Sequence, residues 1–371
     1  MIDSNTQSTI REVAPWQWHP VTVGFIGLTF CIALCVSSRA ATEAIESDPT
    51  AAYLAPQQLV IVERSRRLNL ICRGSGEPTV VLESGTGESA LSWQHVQPAL
   101  SGLTRTCAYD RAGYGFSDRS SHPADAQHIV DDLHRLLQAA GIRPPFVYVG
   151  HSAAGLYARL YYALYPSQIA GMVLIDPSFP HEWDAVASPL TPPQRRRYFL
   201  ELASLKDRRE CLQLARLGKL ADPHSAAEKA CVDSDESGGD AQIEALLRRQ
   251  HSDTKFYATL VSESKAIFPT STGRAVDELE IERQGGNLGA IPLIVLSRGN
   301  ADPWVPNLTE SQGAESLLAW QHGHEEVAAL SNKGVHRIVE NSGHFIQNDQ
   351  PSIVIGAIKE VVGRVRATTP E

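Results

Sequence analysis

One serine, one histidine and a pair of strand-end carboxylates in this chain have the types and spacing that covalent acyl chemistry needs. The stretch Tyr148-Val149-Gly150-His151-Ser152-Ala153-Ala154-Gly155 begins in an apolar run and passes through glycine to a serine. Small residues and a helix-like run over 156–164 follow. This is the pattern of a strand handing over to a helix through a tight turn with serine at its apex. Such a turn predicts a strained backbone at Ser152 and a hydroxyl lifted above the sheet edge. Bulky side chains two positions before or after the serine would collide, and Gly150 and Ala154 meet that demand.

A serine nucleophile needs a base to take its proton and a carboxylate to hold that base's tautomer. In this type of site the chain order is serine, acid, histidine. The apolar run 292–297 reads as a strand and ends in Arg298-Gly299-Asn300-Ala301-Asp302-Pro303. Another short strand over 336–340 is followed by Asn341-Ser342-Gly343-His344-Phe345. His344 is therefore the expected base and Asp302 the expected orienting acid. Asp176, which also ends a strand, is the alternative acid.

The elements that must position these groups alternate. Residues 59–63 and 68–72 read as a hairpin, 79–83, 106–109, 146–150 and 171–175 as further strands. Helices are expected over 88–100, 124–140 and 153–164. After 292–297 comes a long helical region near 308–330, and the final helix is expected over 352–364. In 124–140 the apolar positions Ile129, Leu133, Leu136 and Leu137 recur at helical spacing, and Gly141 stops the run. Strands alternating with helices imply a mostly parallel sheet covered on both faces.

Five ordered segments carry a family resemblance: Val80 to Glu88 with Trp93, Tyr109 to Asp118, Val149 to Gly155, Met172 to Pro177, and Ser342 to Phe345. On these the chain resembles the α/β-hydrolase fold serine hydrolases, of a capped, esterase- or lipase-like, exported or membrane-anchored bacterial type. The resemblance covers most of 57–369 outside a variable middle. It departs at Ala154, where glycine is usual, and at Ser84, where many relatives carry histidine. It implies an α/β fold with a mostly parallel eight-stranded sheet, helices on both faces and a helical cap inserted after the sixth strand. The expected organisation is an N-terminal tail (1–20), a hydrophobic signal or anchor segment (21–38), a linker (39–56), a first core part (57–177), the cap (178–290) and a second core part (291–371). Trp183, Tyr198, Phe256 and Tyr257 are candidate pocket residues in the cap. The oxyanion hole needs backbone N–H groups. One donor is expected from Ala153 and the other from Thr86, with Gly87 one step away.

The implied activity is hydrolysis of a carboxylic ester through an acyl-enzyme on Ser152. An acyltransferase, a lactonase or carbon–carbon hydrolase, and a non-catalytic binding relative are the alternatives. Epoxide hydrolases and haloalkane dehalogenases of this fold use aspartate where Ser152 stands. Asp110 and Arg111 read as structural braces of a Gly-rich turn, and His151 as buried support.

The remaining features bound the surroundings. A net charge of −9 gives no general nucleic-acid footprint. The partner expected is a small acyl or ester molecule, with the membrane as a second partner if segment 21–38 is not cleaved; the sequence does not fix an oligomeric state. Arg11 is offset by Asp3 and Glu12, and Arg39 lies on the far flank, so neither cleavage nor anchoring is favoured. Of six cysteines, Cys31 and Cys35 lie inside the apolar segment. In the strand order implied by the resemblance the second and fourth strands are neighbours, so Cys72 and Cys107 can meet. Cys211 and Cys231 both fall in the variable middle. Disulfides at these four positions fit an exported protein, whereas four reduced thiols would fit a cytosolic one. No cofactor is expected, since Cys-x-x-Cys, phosphate-loop and dinucleotide glycine motifs are lacking. Metal binding at His322-x-His324 is not expected either, because helix periodicity puts the two rings on different faces.

Overall fold

The computed structural model describes residues 50–233, 239–269, 274–301 and 308–368. Among these, eight strands form one sheet: β1 (Gln58–Glu63), β2 (Arg66–Arg73), β3 (Val80–Glu83), β4 (Thr106–Tyr109), β5 (Phe146–His151), β6 (Ile169–Ile175), β7 (Leu293–Arg298) and β8 (Gly334–Val339). Their order is β1-β2-β4-β3-β5-β6-β7-β8. β2 runs antiparallel to both its neighbours, and from β4 to β8 all adjacent pairs are parallel. The central strands β3, β5 and β7 are buried at every position, which is why they read as unbroken apolar runs.

Helices α1 (Gln97–Leu100), α2 (Ala126–Ala139) and α3 (Ala154–Leu164) separate the earlier strands. Between β6 and β7 lie α4 (Glu182–Val186), α5 (Pro192–Ser204), α6 (Lys206–Arg216), α7 (Ala226–Val232), α8 (Ala241–His251), α9 (Thr254–Ile267) and α10 (Val276–Gln284). After β7 comes α11 (Glu310–Ala329), and after β8 come α12 (Ile346–Asp349) and α13 (Pro351–Thr368). One face of the sheet packs on Leu133, Leu136, Tyr157, Leu160 and Trp320 of α2, α3 and α11. The other packs on Trp93, Val96, Leu100, Ile358 and Val362.

The helix expected over 88–100 is instead a 3-10 turn, Ala90–Trp93, followed by α1. Ser89 caps that turn by accepting from the Leu91 N–H, and Pro98, lacking an N–H, cannot continue a ladder from Gln94. α2 starts where Asp125 accepts from the His128 N–H at 3.0 Å.

Two disulfides tie the chain. Cys72 and Cys107 face each other in the antiparallel register of β2 and β4, and Cys211 joins α6 to Cys231 on α7. They are separated by 35 and 20 residues, loops for which a chain-entropy account gives about 4 and about 3 kcal/mol. The apolar segment 21–38 lies outside the described residues. Among the described residues no helix is long and apolar enough to cross a membrane.

Candidate active site

Ser152 stands between the end of β5 and the start of α3 with φ of 54°, in the left-handed region. A non-glycine residue held there costs about 1–3 kcal/mol and persists only where its surroundings over-determine it. Here they do. The Ser152 N–H donates to the Ile175 carbonyl at 3.0 Å, while its own carbonyl accepts from Gly155 and Ser178, each at 2.8 Å. The strict need for glycine in the elbow falls at Gly155, where a Cβ would lie 2.4 Å from the Pro177 Cβ. At Ala154 the methyl is accommodated because Gly150, across from it, has none.

His344 lies on the loop after β8, and its Nδ1 is 2.6 Å from Asp176 Oδ2. Asp176 directly follows β6, itself at positive φ (42°), and is fully buried. Its Oδ2 also accepts from Arg298 Nη1 at 2.7 Å. Its Oδ1 accepts from the Arg298 N–H at 3.0 Å and from Trp320 Nε1 at 2.8 Å. Burial alone would raise this carboxyl's pKa, but Arg298 and His344 outweigh it and hold the group well below the ordinary carboxylate range. The chain-order expectation set Asp302 first and Asp176 second as partner of the imidazole. Asp176 holds the Nδ1 side, and Asp302 lies outside the described residues.

A second ion pair stands behind this one. His151, with no exposed surface, has Nδ1 at 2.9 Å from Glu88 Oε1 and Nε2 at 3.0 Å from the His344 carbonyl. Glu88 Oε2 also accepts from the Gly85 N–H at 2.7 Å. Both ring nitrogens of His151 face acceptors, and a neutral imidazole can donate from only one. Burial would depress its pKa, but Glu88 reverses the sign and holds it above the ordinary value. Its ring lies 4.6 Å, centre to centre, from that of His344. Burial first, and then the neighbouring His151, press the His344 pKa below its usual value against the opposing pull of Asp176. With His344 as the proposed base, which must be neutral to act, the acid limb of kcat/KM should lie below the ordinary histidine value of about 6.5. Replacing His151 by glutamine removes that depressing neighbour. The limb should then move to higher pH, read from a kcat/KM profile.

Ser152 and His344 line one cavity of about 270 Å³, together with Thr86, Gly87 and Phe345. The segment between β6 and β7 adds Trp183, Arg208, His251, Phe256, Ile267 and Phe268. Of the four aromatic residues expected there, Trp183 and Phe256 line it. Tyr198 packs against Phe199 instead, and the Tyr257 hydroxyl donates to the Cys231 carbonyl. Burial pushes His251 down to about 4. Among the described residues neither the Ala153 nor the Thr86 N–H makes a hydrogen bond, whereas the Gly87 N–H is directed at Glu263 Oε2, 3.4 Å away.

Arg111 is a brace, as its Gly-rich turn suggested. It donates to the Ser84 and Gly85 carbonyls and pairs with Glu263 on α9 at 2.8 Å. Asp110 accepts from Ala90, Phe116 and Asn69. His324 is buried between Ser297 and the Pro177 carbonyl, while His322 is exposed beside Glu325 and Glu326. Sequence reasoning missed Glu88, Glu263 and Arg208. Glu88 was within reach, since it lies in a quoted motif with a buried histidine needing a partner; the other two sit in the variable helices.

The sheet order, the crossovers and the elbow define an α/β-hydrolase fold. A family model described as alpha/beta hydrolase fold matches residues 78–217. The chain is 25% identical to the uncharacterized protein YqjL of Bacillus subtilis, over 78% of this chain and 85% of that one. It superposes on a thermophilic esterase from Thermogutta terrifontis with a TM-score of 0.53 and 17% identity, covering 84% of this chain and 99% of the other. The epoxide hydrolase CorEH superposes with a TM-score of 0.52 and 20% identity, over 83% and 98%. This chain therefore has the α/β-hydrolase fold.

Proposed function

We propose that this chain is a serine hydrolase that cleaves carboxylic esters through an acyl-enzyme on Ser152. The observation that carries the reading is the shared cavity of Ser152 and His344, with the far nitrogen of His344 bonded to the buried carboxylate of Asp176. In this reading His344 takes the Ser152 proton as Oγ attacks the carbonyl carbon. Asp176 holds the imidazole in the tautomer that can accept, and stabilises the imidazolium that forms. The Ala153 and Thr86 amides receive the oxyanion, each worth about 3 kcal/mol of transition-state stabilisation. The imidazolium then gives its proton to the departing alcohol. Water repeats the attack by the same route and releases the acid.

The helices between β6 and β7 serve as the cap, because they supply the apolar wall opposite Ser152 and exclude water from it. A serine at the elbow favours acyl transfer over the epoxide and haloalkane chemistries that resemblance assigns to aspartate. The two disulfides favour an oxidising compartment and hence export. The test is labelling by a fluorophosphonate probe, followed by a panel of p-nitrophenyl esters. Wild type should label and hydrolyse, and Ser152→Ala should do neither. Label retained in Ser152→Ala would move the nucleophile elsewhere.

A further inference from the structure

Arg208 is in the first turn of α6 and lines the cavity that holds Ser152 and His344. Its guanidinium lies over the Phe268 ring, 4.8 Å from the centroid. Among the described residues it makes no side-chain hydrogen bond and no ion pair. The negative groups nearby are otherwise engaged. Glu263 accepts from Arg111, Tyr114, Tyr157 and the Gly87 N–H, which fills both its oxygens. Glu88 is held by His151 and Gly85. Asp207, next in the chain, is exposed. Burial lowers the Arg208 pKa against the pull of Tyr114, Glu263 and Asp207, none of which pairs with it. His251 on the same wall is neutral at ordinary pH, since burial pushes its pKa down to about 4. Among the described residues the site thus holds an arginine with no ion-pair partner, beside Trp183, Phe256, Leu260, Ile267 and Phe268. An arginine fork braced on an aromatic face is preorganised to take a carboxylate.

We propose that the substrate is an ester bearing a second, anionic group, such as the half-ester of a dicarboxylic acid, and that Arg208 binds that group. This rests on the serine-esterase reading of the same site. The anion supplies the missing partner, and the apolar wall takes the methylene chain between the two ends. Charge-assisted hydrogen bonds of this kind correspond to about 10- to 100-fold in kcat/KM.

The test compares p-nitrophenyl half-esters of succinic, glutaric, adipic and suberic acids with neutral p-nitrophenyl esters of matched length. A second arm carries the carboxylate on the alcohol side. Wild type should prefer one acidic member over its neutral match. Arg208→Met should lower that acidic-to-neutral ratio by at least about tenfold, and Arg208→Lys should restore part of it. The ratio within each variant cancels any loss of folded protein. Inhibition of neutral-ester hydrolysis by the free dicarboxylate of the best length should weaken in Arg208→Met in parallel. A ratio that does not change in Arg208→Met, or a wild type without acidic preference in either arm, overturns the proposal. If no ester of any kind is hydrolysed, it is the serine-esterase reading that fails.

Discussion

Asp176→Asn should lower kcat on the order of 10⁴-fold, while Asp302→Asn should retain most of the wild-type rate. Both aspartates end or follow strands of the parallel sheet, and both precede His344 in the chain. The described contact with the imidazole is that of Asp176. Asp176 Oδ2 is 2.6 Å from His344 Nδ1, within a shell that also includes Arg298 and Trp320. An asparagine there presents either an N–H₂ to Nδ1, forcing the wrong tautomer, or an oxygen without charge to steady the imidazolium. The same change leaves the buried Arg298 without its counterion, and breaking such a pair costs about 3–5 kcal/mol. Rate and stability must therefore be read separately, by steady-state kinetics on protein shown to be folded and by urea unfolding. A large rate loss in Asp302→Asn, with Asp176→Asn near wild type, would reverse the assignment.

Glu263→Gln should destabilise the fold by about 3 kcal/mol, with a lowered urea midpoint. Glu263 is on α9, in the segment between β6 and β7, and reaches groups far away in sequence: Arg111, Tyr114 and Tyr157. Arg111 in turn holds the Ser84 and Gly85 carbonyls of the turn that supplies Thr86. Neutralising Glu263 leaves the Arg111 cation buried and unpaired. Replacing both by apolar residues of similar size should recover part of the loss, because the desolvation of two charges then disappears as well. The Glu263→Gln enzyme should also lose kcat through a less firmly held Thr86 amide. A variant that is destabilised with kcat intact would show the brace to be structural alone.

What the sequence disclosed tracks how local each feature is. The elbow at Ser152 and the turn at His344 were legible because strand, tight turn and helix follow within a few residues. The parallel sheet followed from alternation of apolar runs with helical periodicity. The choice between Asp176 and Asp302 was not legible. Two carboxylates that follow strands satisfy the same chain order, and the contact with Nδ1 that Asp176 makes depends on the loop path after β6. The pairing of His151 with Glu88 was equally hidden, since it depends on Glu88 arriving from the turn after another strand. Arg208 and Glu263 are invisible for a further reason. In polar, amphipathic helices nothing marks which charged residue turns inward. The broken helix over 88–100 did carry a signal, Pro98, which outweighs the helical spacing of Leu91, Trp93, Val96 and Leu100.

The bond between Cys72 and Cys107 has a bearing on the order in which the molecule comes together. Both sulfurs belong to the first third of the sequence and both precede the nucleophile. They clamp the one strand that runs against its neighbours to the edge of the parallel array. As the polypeptide emerges from its amino end, that covalent seam can close while the later strands are still to come. A seam closed at that stage would offer the later strands, and the imidazole that follows them, an edge already locked in register.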